Sequence, residues 1–291
     1  MSTQNHQAYI KEKMPLIGIG TWQIRDKKIL YDVIDEGFRT GYRFIDTAQV
    51  YGNEAVIGGI LEELLPKHGL TRSDIFITTK LAPANAGSGK KTRDSVEKSL
   101  DDLKMDYVDL MLIHWPGSQL KSENPKNKEL RVESWNVLAE YQEKGRIRAI
   151  GVSNFEIQHL EELKNSSNII PAVNQVEYHP HFHQDDLVKY CKDNGIHFQA
   201  YSSLGSPSYV ANLRADPIIM ELADKYQVSI PIILLGFAYC QGISVLPRTT
   251  NPQHAKENYE VTKLKIDSDD IAKLLAIKVD FKTCWDPRVV V

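Results

Sequence analysis

The sequence predicts an α/β protein with a closed (β/α)8 barrel of parallel strands, the TIM-barrel architecture. Eight short apolar runs alternate with helical patterns, several of the runs are almost continuously apolar, and no linker rich in Pro, Gly and Ser divides the chain. Parallel strands that helices cover on both faces are expected to have this pattern. We therefore expect a single barrel domain over residues 1–291, a normal length for this fold.

Each of the eight apolar runs has the length of a β-strand. The candidates are 16–20, 43–46, 75–80, 108–114, 147–154, 172–179, 197–203 and 243–249. An open doubly wound sheet is the alternative, and its first strand would lead into a Gly-rich dinucleotide-binding turn. The segment “GIGTWQ” has Gly18 and Gly20, but Gln23 stands where the third Gly or Ala is required, so we reject that alternative.

Amphipathic segments separate the strand candidates. Residues 27–41 place their apolar side chains on one helical stripe. Further helical patterns cover 133–145, 216–227, 230–242 and 268–278. These patterns include two helices more than simple strand–helix alternation needs. We expect the remaining C-terminal residues to form a loop over the barrel mouth.

Composition and charge exclude several classes of function. The formal net charge of −3 shows none of the excess positive charge that binding to nucleic acid or to an anionic membrane favours. The polar N-terminus lacks the apolar core of a signal peptide, and the apolar runs are too short to span a bilayer. The three cysteines are far apart and indicate free thiols in a reducing compartment. We expect a cytoplasmic protein without nucleic-acid or membrane partners, and a monomer rather than an obligate oligomer.

A histidine cluster raises the question of a metal site. His179, His181 and His183 have strand spacing and could together bind zinc. Pro180 interrupts the strand, however, and no further ligand is tied to the cluster by spacing. We predict no native metal site. We interpret the cluster as a loop edge that could still bind metal adventitiously.

Polar side chains follow several strand candidates. Asp46 ends the second strand, Lys80 the third and His114 the fourth, and Tyr51 lies five residues after Asp46. Because the carboxyl ends of barrel strands share one face, where the chemistry of such barrels is located, we expect these groups around one opening. A phenol has a pKa of about 10, which a neighbouring ammonium lowers. The set therefore predicts that Tyr51 is a proton donor beside a carbonyl that a neutral His114 orients.

Five segments together resemble those of aldo-keto reductases over nearly the full length of the chain. They are “GYRFIDTAQVYGNE”, “VDLMLIHWP”, “GVSNF”, “NQVEYHP” and “VLPRTTNPQHAKEN”. The resemblance implies a catalytic tetrad made of Asp46, Tyr51, Lys80 and His114. It also implies that a bound NADPH transfers a hydride to the carbonyl carbon of a small-molecule substrate, while Tyr51 protonates the oxygen.

The resemblance further implies where the cofactor and the substrate bind. Ser153, Asn154 and Gln175 match residues that hold the carboxamide of the nicotinamide, and Tyr201 matches the ring that stacks on it. Glu257 and Asn258 match residues that hold the adenine. The other expected cofactor contacts are Gly20, Thr21, Trp22, Ser202 and Leu204. The residues expected to line the substrate pocket are Trp22, Trp115 and Trp285.

The chain departs from the family pattern after the eighth strand. Arg248, Thr249 and His254 stand where the family often has Lys, Ser and Arg, which bind the 2′-phosphate of NADP. Arginine can hold a phosphate bidentately, and Thr249 keeps the hydroxyl. A histidine that is mostly neutral at pH 7 gives a weaker contact with an anion. We predict that NADPH is preferred, less strongly than in members with Lys and Arg, and we leave use of NADH open.

Fold alone does not decide between a working reductase and a non-catalytic nicotinamide-binding protein with a regulatory or structural role on the same barrel. The complete tetrad favours the enzyme. A barrel enzyme acting on phosphate esters is disfavoured, because the sequence has neither an acidic metal cluster nor a phosphate-binding loop.

Overall fold

A single sheet of eight parallel strands forms the centre of the computed structural model, which describes residues 3–87 and 89–291. Strands that follow one another along the chain are neighbours in the sheet. They are β1 (Ile19–Gly20), β2 (Phe44–Asp46), β3 (Phe76–Leu81), β4 (Val108–Ile113), β5 (Ile147–Ser153), β6 (Val173–Glu177), β7 (His197–Tyr201) and β8 (Ser244–Val245). The predicted fold class is confirmed.

Backbone hydrogen bonds join the first and last strands. The amide of Gly18 donates to the carbonyl of Val245, and the amide of Gly20 donates to the carbonyl of Pro247, both at 3.0 Å. A Cβ atom at Gly20 would lie 2.9 Å from the carbonyl oxygen of Leu246, so glycine permits this close approach. The regular ladders of β1 and β8 are shorter than predicted, although their flanking residues still pair.

Helices cover the outside of the sheet. They are α1 (Thr3–Lys13), α2 (Lys27–Thr40), α3 (Glu54–Lys67), α4 (Gly89–Leu103), α5 (Lys126–Glu143), α6 (Ile157–Ser166), α7 (Asp185–Asp193), α8 (Val210–Arg214), α9 (Pro217–Tyr226), α10 (Ile230–Tyr239), α11 (Pro252–Tyr259) and α12 (Ser268–Leu275). The predicted stripe of α2 is buried at Leu30, Val33, Ile34 and Phe38. No helix in the described part of the chain is long and apolar enough to cross a membrane.

The sequence analysis gave residue ranges for α2, α5, α9, α10 and α12, but not for the other seven described helices. Of these, α1 contacts β5 and β7. Ile10 of this helix and Met14 just beyond it belong to a buried cluster with Phe44 and Phe76 from the sheet. A second, larger cluster fills the space between the sheet and the surrounding helices. The N-terminal segment therefore completes the smaller of the two apolar clusters.

Candidate functional site

A buried lysine is at the centre of the candidate site. Lys80, near the end of β3, is 0 % exposed. Its Nζ donates to Asp46 Oδ1 at 2.6 Å and to the carbonyl oxygen of Thr47 at 3.0 Å. The same Nζ lies 3.4 Å from the phenol oxygen of Tyr51, to which it donates. The structure thus brings three of the four predicted tetrad residues together, with Lys80 in contact with both Asp46 and Tyr51.

The charges in this group influence one another. Burial lowers the pKa of Lys80, but the neighbouring Asp46 and Tyr51 outweigh that effect and raise the pKa overall. Burial raises the pKa of the Tyr51 phenol, and the Lys80 ammonium offsets only part of this increase. Desolvation of the ring therefore outweighs the lowering of the phenol pKa that the sequence led us to expect from the ammonium.

His114 follows β4 and faces the phenol. The rings of His114 and Tyr51 meet edge to face, with centroids 5.7 Å apart. Burial, together with the charge on Lys80, lowers the pKa of His114 to about 3. Its Nδ1 atom is buried and has no hydrogen-bond partner within residues 3–87 and 89–291. The imidazole is therefore neutral near pH 7, and its N–H can donate to an acceptor without carrying a charge.

A chain of amide side chains continues from Asp46 across the sheet. Gln175 Nε2 donates to Asp46 Oδ2 at 2.8 Å and to Gln199 Oε1 at 2.7 Å. Gln199 Nε2 in turn donates to Ser244 Oγ at 3.0 Å. Both amide hydrogens of Gln175 are thereby used, and its Oε1 accepts no hydrogen bond from the described residues. That oxygen remains available as an acceptor for a bound amide.

Gln199 was missed by the sequence analysis. It is fully buried in β7 between Phe198 and Ala200. A long polar side chain between two apolar strand residues was the available signal. The orientation of Gln175 depends on this neighbour, because Gln199 supplies the second acceptor for the Gln175 amide group.

The ends of β5 and β7 meet beside Gln175. Ser153 Oγ donates to the carbonyl of Gln175 at 2.8 Å, and Tyr201 OH donates to Asn154 Oδ1 at 2.6 Å. Asn154 and Ser202 have positive φ angles of 63° and 52°. Backbone in this region is uncommon for residues other than glycine, and such strain is concentrated at functional sites. The structure thus brings the predicted carboxamide-binding residues together.

The predicted phosphate- and adenine-binding residues lie after β8. Arg248 Nε donates to the carbonyl of Trp22 at 3.0 Å, which joins this segment to the loop after β1. Thr249 Oγ1 accepts from the amide of Asn251, the residue that caps α11. His254 is exposed on α11. An arginine beside a helix N-terminus is a favourable environment for an anion.

The remaining predicted cofactor contacts lie in the loops after β1 and β7 and on α11. Thr21 is buried, and its Oγ1 donates to the carbonyl of Asp46 at 2.9 Å. Leu204 packs against the larger apolar cluster. On α11, Glu257 is exposed and accepts from Gln253, whereas Asn258 is buried.

One of the three predicted pocket tryptophans lies beside Tyr51. Trp22, which is 46 % exposed, lines a cavity of about 340 Å³ together with Gln23, Arg25, Val50 and Tyr51. The other two predicted tryptophans, Trp115 and Trp285, form a separate edge-to-face pair with centroids 6.1 Å apart. The sequence analysis did not single out Arg25, whose Nε donates to the carbonyl of Tyr51 at 3.1 Å.

The histidine cluster pairs with three separate carboxylates. His179 Nε2 lies 3.2 Å from Glu177, and His181 Nε2 lies 3.0 Å from Asp216. His183 Nδ1 lies 2.9 Å from its own near neighbour, Asp185. Across the part of the chain that the structure describes, no group of three or more His, Cys, Asp or Glu residues is placed to hold a metal ion.

Comparisons with known proteins show which family the chain resembles. The model of the Aldo/keto reductase family matches residues 16–278. An aldose reductase from Encephalitozoon cuniculi is 36 % identical, covering 91 % of this chain and 90 % of its own length. A glyoxal reductase from Bacillus subtilis is 34 % identical, covering 94 % and 93 %. The crystal structure of the aldo-keto reductase MGS-M4, from a Medee basin deep-sea metagenome library, is 32 % identical with a TM-score of 0.85 and covers 94 % of each chain.

Proposed function

Because the chain belongs to the aldo/keto reductase family, and is an oxidoreductase acting on carbonyl groups, we propose that it is an NADPH-dependent reductase of small aldehydes and ketones. Tyr51 is the proton donor in this proposal. The observation that carries it is the buried Lys80 ammonium, which contacts both Asp46 and the Tyr51 phenol. The proposed catalytic residues are Asp46, Tyr51, Lys80 and His114.

The phenol is arranged to give up its proton. Lys80 donates to the phenol oxygen, so the hydrogen of Tyr51 is free to point towards a substrate in the adjoining cavity. When that proton leaves, the Lys80 charge stabilises the resulting phenolate. Asp46 keeps Lys80 charged and in place.

Neutral His114 complements the phenol. Its ring lies against Tyr51, so both side chains can reach the same carbonyl oxygen. A neutral N–H orients that oxygen without competing with Tyr51 as the proton source, because the pKa of the imidazolium is lowered to about 3. The alternative, a non-catalytic binding protein, would have no use for a buried ion pair beneath a phenol, which is costly to desolvate.

The residues at the ends of β5, β6 and β7 fit a nicotinamide. Gln175 Oε1 accepts nothing from the described residues and can receive the N–H of a carboxamide, while Tyr201 offers a ring for stacking. A bound nicotinamide cofactor would supply the hydride. Arg248, Thr249 and His254 would hold its 2′-phosphate, and Glu257 and Asn258 its adenine.

Replacing Tyr51 by phenylalanine tests the proposal. Tyr51→Phe removes the proton donor and leaves the ring, so we expect consumption of NADPH with glyoxal and other small aldehydes to fall by at least about 10²-fold. Cofactor affinity, measured by quenching of tryptophan fluorescence, should stay close to that of the wild type. A variant that keeps most of its rate would contradict the assigned role of Tyr51.

The cofactor preference requires a separate titration. We expect NADPH to bind more tightly than NADH, because Arg248 and Thr249 offer a charge and a hydroxyl to the 2′-phosphate. His254→Arg should tighten NADPH and leave NADH unchanged, since only NADPH carries that phosphate. Tighter binding of NADH than of NADPH to the wild type would contradict this assignment.

A further inference from the structure

We propose that Glu177 is a positioning residue for substrate binding: its buried carboxylate fixes residues 282–284 and thereby sets Trp285 against Trp115 at the barrel mouth. The inference rests on the proposed function, since it assigns part of the substrate pocket of that enzyme. We call residues 278–291, which follow α12, the tail.

Glu177 receives an unusual number of donors from the tail. The carboxylate ends β6 and is 0 % exposed. Its Oε1 accepts from the amide and the hydroxyl of Thr283, at 2.7 and 2.5 Å. Its Oε2 accepts from Lys282 Nζ at 3.1 Å and from the amide of Cys284 at 3.0 Å. His179, at 3.2 Å, is a further partner from outside the tail.

Burial makes these contacts hard to replace. A carboxylate at a surface could exchange tail donors for water, but one without exposed area would be left charged with only His179 as a partner. Lys282 is itself 8 % exposed in its side chain and lies over the ring of Phe182 at 4.8 Å. The ion pair is therefore part of the interior, although the tail that supplies it runs over the surface.

The fixed residues lie next to the proposed chemistry. Cys284 Sγ is 3.8 Å from Ser202 Oγ, at the end of β7. Trp285 is the next residue after the anchored amide of Cys284, is 80 % exposed, and meets Trp115 edge to face. Because so little of Trp285 packs on the protein, its own contacts explain its position poorly. The hydrogen-bonded amide of Cys284, one residue away, explains it better.

A second attachment holds the far end of the tail. His159 Nε2 donates to the carbonyl of Val290 at 2.8 Å, and the amide of Val291 donates to the carbonyl of Ser122 at 3.0 Å. This attachment uses α6 and the loop after β4, so it is independent of Glu177. Loss of the Glu177 anchor should therefore loosen residues 282–285 and leave residues 290–291 in place.

Glu177→Gln tests the anchor, because it keeps the size of the side chain but removes its charge and one acceptor oxygen. We expect the amides of Thr283 and Cys284 to exchange hydrogen about tenfold faster, while the amide of Val291 keeps its protection. With a small aldehyde as substrate, KM should rise about tenfold as the Trp285 wall is lost, and kcat should change less than about twofold.

The matched control is Glu62→Gln, which removes an ion pair with Lys104 on the helical surface. We expect it to change neither amide exchange nor KM. If Glu177→Gln does not fold, Lys282→Met removes one tail partner and leaves the carboxylate with its other donors, and it should show the same changes in smaller measure.

Unchanged exchange at Thr283 and Cys284 in a folded variant would overturn the anchor. Faster exchange with an unchanged KM, or a loss confined to kcat, would overturn the positioning of Trp285. A wild-type protein that reduces no aldehyde would instead contradict the proposed function, and the exchange measurements would still decide whether Glu177 holds the tail.

Discussion

At the scale of single residues, the pairing of Asp46 with Lys80 links the stability of the fold to the proposed chemistry. Both side chains are buried, at 4 % and 0 % exposure. Taking two such charges out of water is costly, and only their mutual contact and additional hydrogen bonds compensate. Asp46 has Gln175 as its additional donor, and Lys80 has the Thr47 carbonyl and the Tyr51 phenol. Each charge thus depends on the presence of the other.

Lys80→Met should destabilise the protein strongly. The variant leaves the Asp46 carboxylate buried with one hydrogen-bond donor and no positive partner, so we expect the free energy of unfolding to fall by about 3–5 kcal/mol. Urea denaturation followed by circular dichroism measures this change. Reductase activity should be lost as well, because the phenol loses the charge that stabilises its anion.

The double variant Asp46→Asn/Lys80→Met separates charge from packing. It removes both charges, so it should be more stable than Lys80→Met alone even though it carries one substitution more. A double variant as unstable as the sum of the two single changes would mean that the side chains contribute independently.

At the scale of secondary structure, parallel strand ends explain why the site could be predicted from the sequence. Asp46, Lys80 and His114 are 34 residues apart at each step along the chain, yet each stands at the carboxyl end of a strand. A barrel brings all such ends to one face, so periodicity alone predicted their proximity. The contacts of Lys80 with Asp46 and Tyr51 agree with this.

The helix α1 shows the limit of such predictions. Its sequence, “TQNHQAYIKEK”, is polar and has no continuous apolar stripe. It folds because individual residues fit the sheet: Ile10 is buried, and Tyr9 hydrogen-bonds to Asp109 of β4. Contacts between residues 100 positions apart leave no local pattern in the sequence. The anchoring of the tail by Glu177 was unpredictable for the same reason.

The direction of the Tyr51 pKa shift also needed the structure. The sequence correctly suggested a neighbouring ammonium, whose effect is to lower the phenol pKa. It could not indicate how much of the ring is buried, and burial is the larger effect. The sign of a neighbouring charge can be read from the residue type in the sequence. The extent of desolvation depends on how the folded chain packs around the group.

At the scale of the whole molecule, buried histidines connect folding with pH. His6 in α1, His159 in α6 and His197 in β7 each have a pKa lowered from 6.5 to about 4, chiefly by burial. A lowered pKa means that the folded protein holds these rings neutral, while the unfolded chain protonates them below about pH 6.5. Their contribution to stability is therefore complete above pH 6.5 and is lost as the pH falls towards 4.

The contribution of His6 can be isolated by His6→Leu. Between pH 6 and pH 4.5, each such histidine steepens the loss of unfolding free energy by up to about 1.4 kcal/mol per pH unit. The variant lacks this group, so its curve from urea denaturation should be flatter by that amount. Carboxylates that titrate in the same range are common to both proteins and cancel in the difference.

Ile10→Val, on the same helix, is the control and should lower the free energy of unfolding by about 1 kcal/mol at every pH. A His6→Leu curve that runs parallel to the wild type, as the Ile10→Val curve should, would show that His6 does not contribute to the pH dependence.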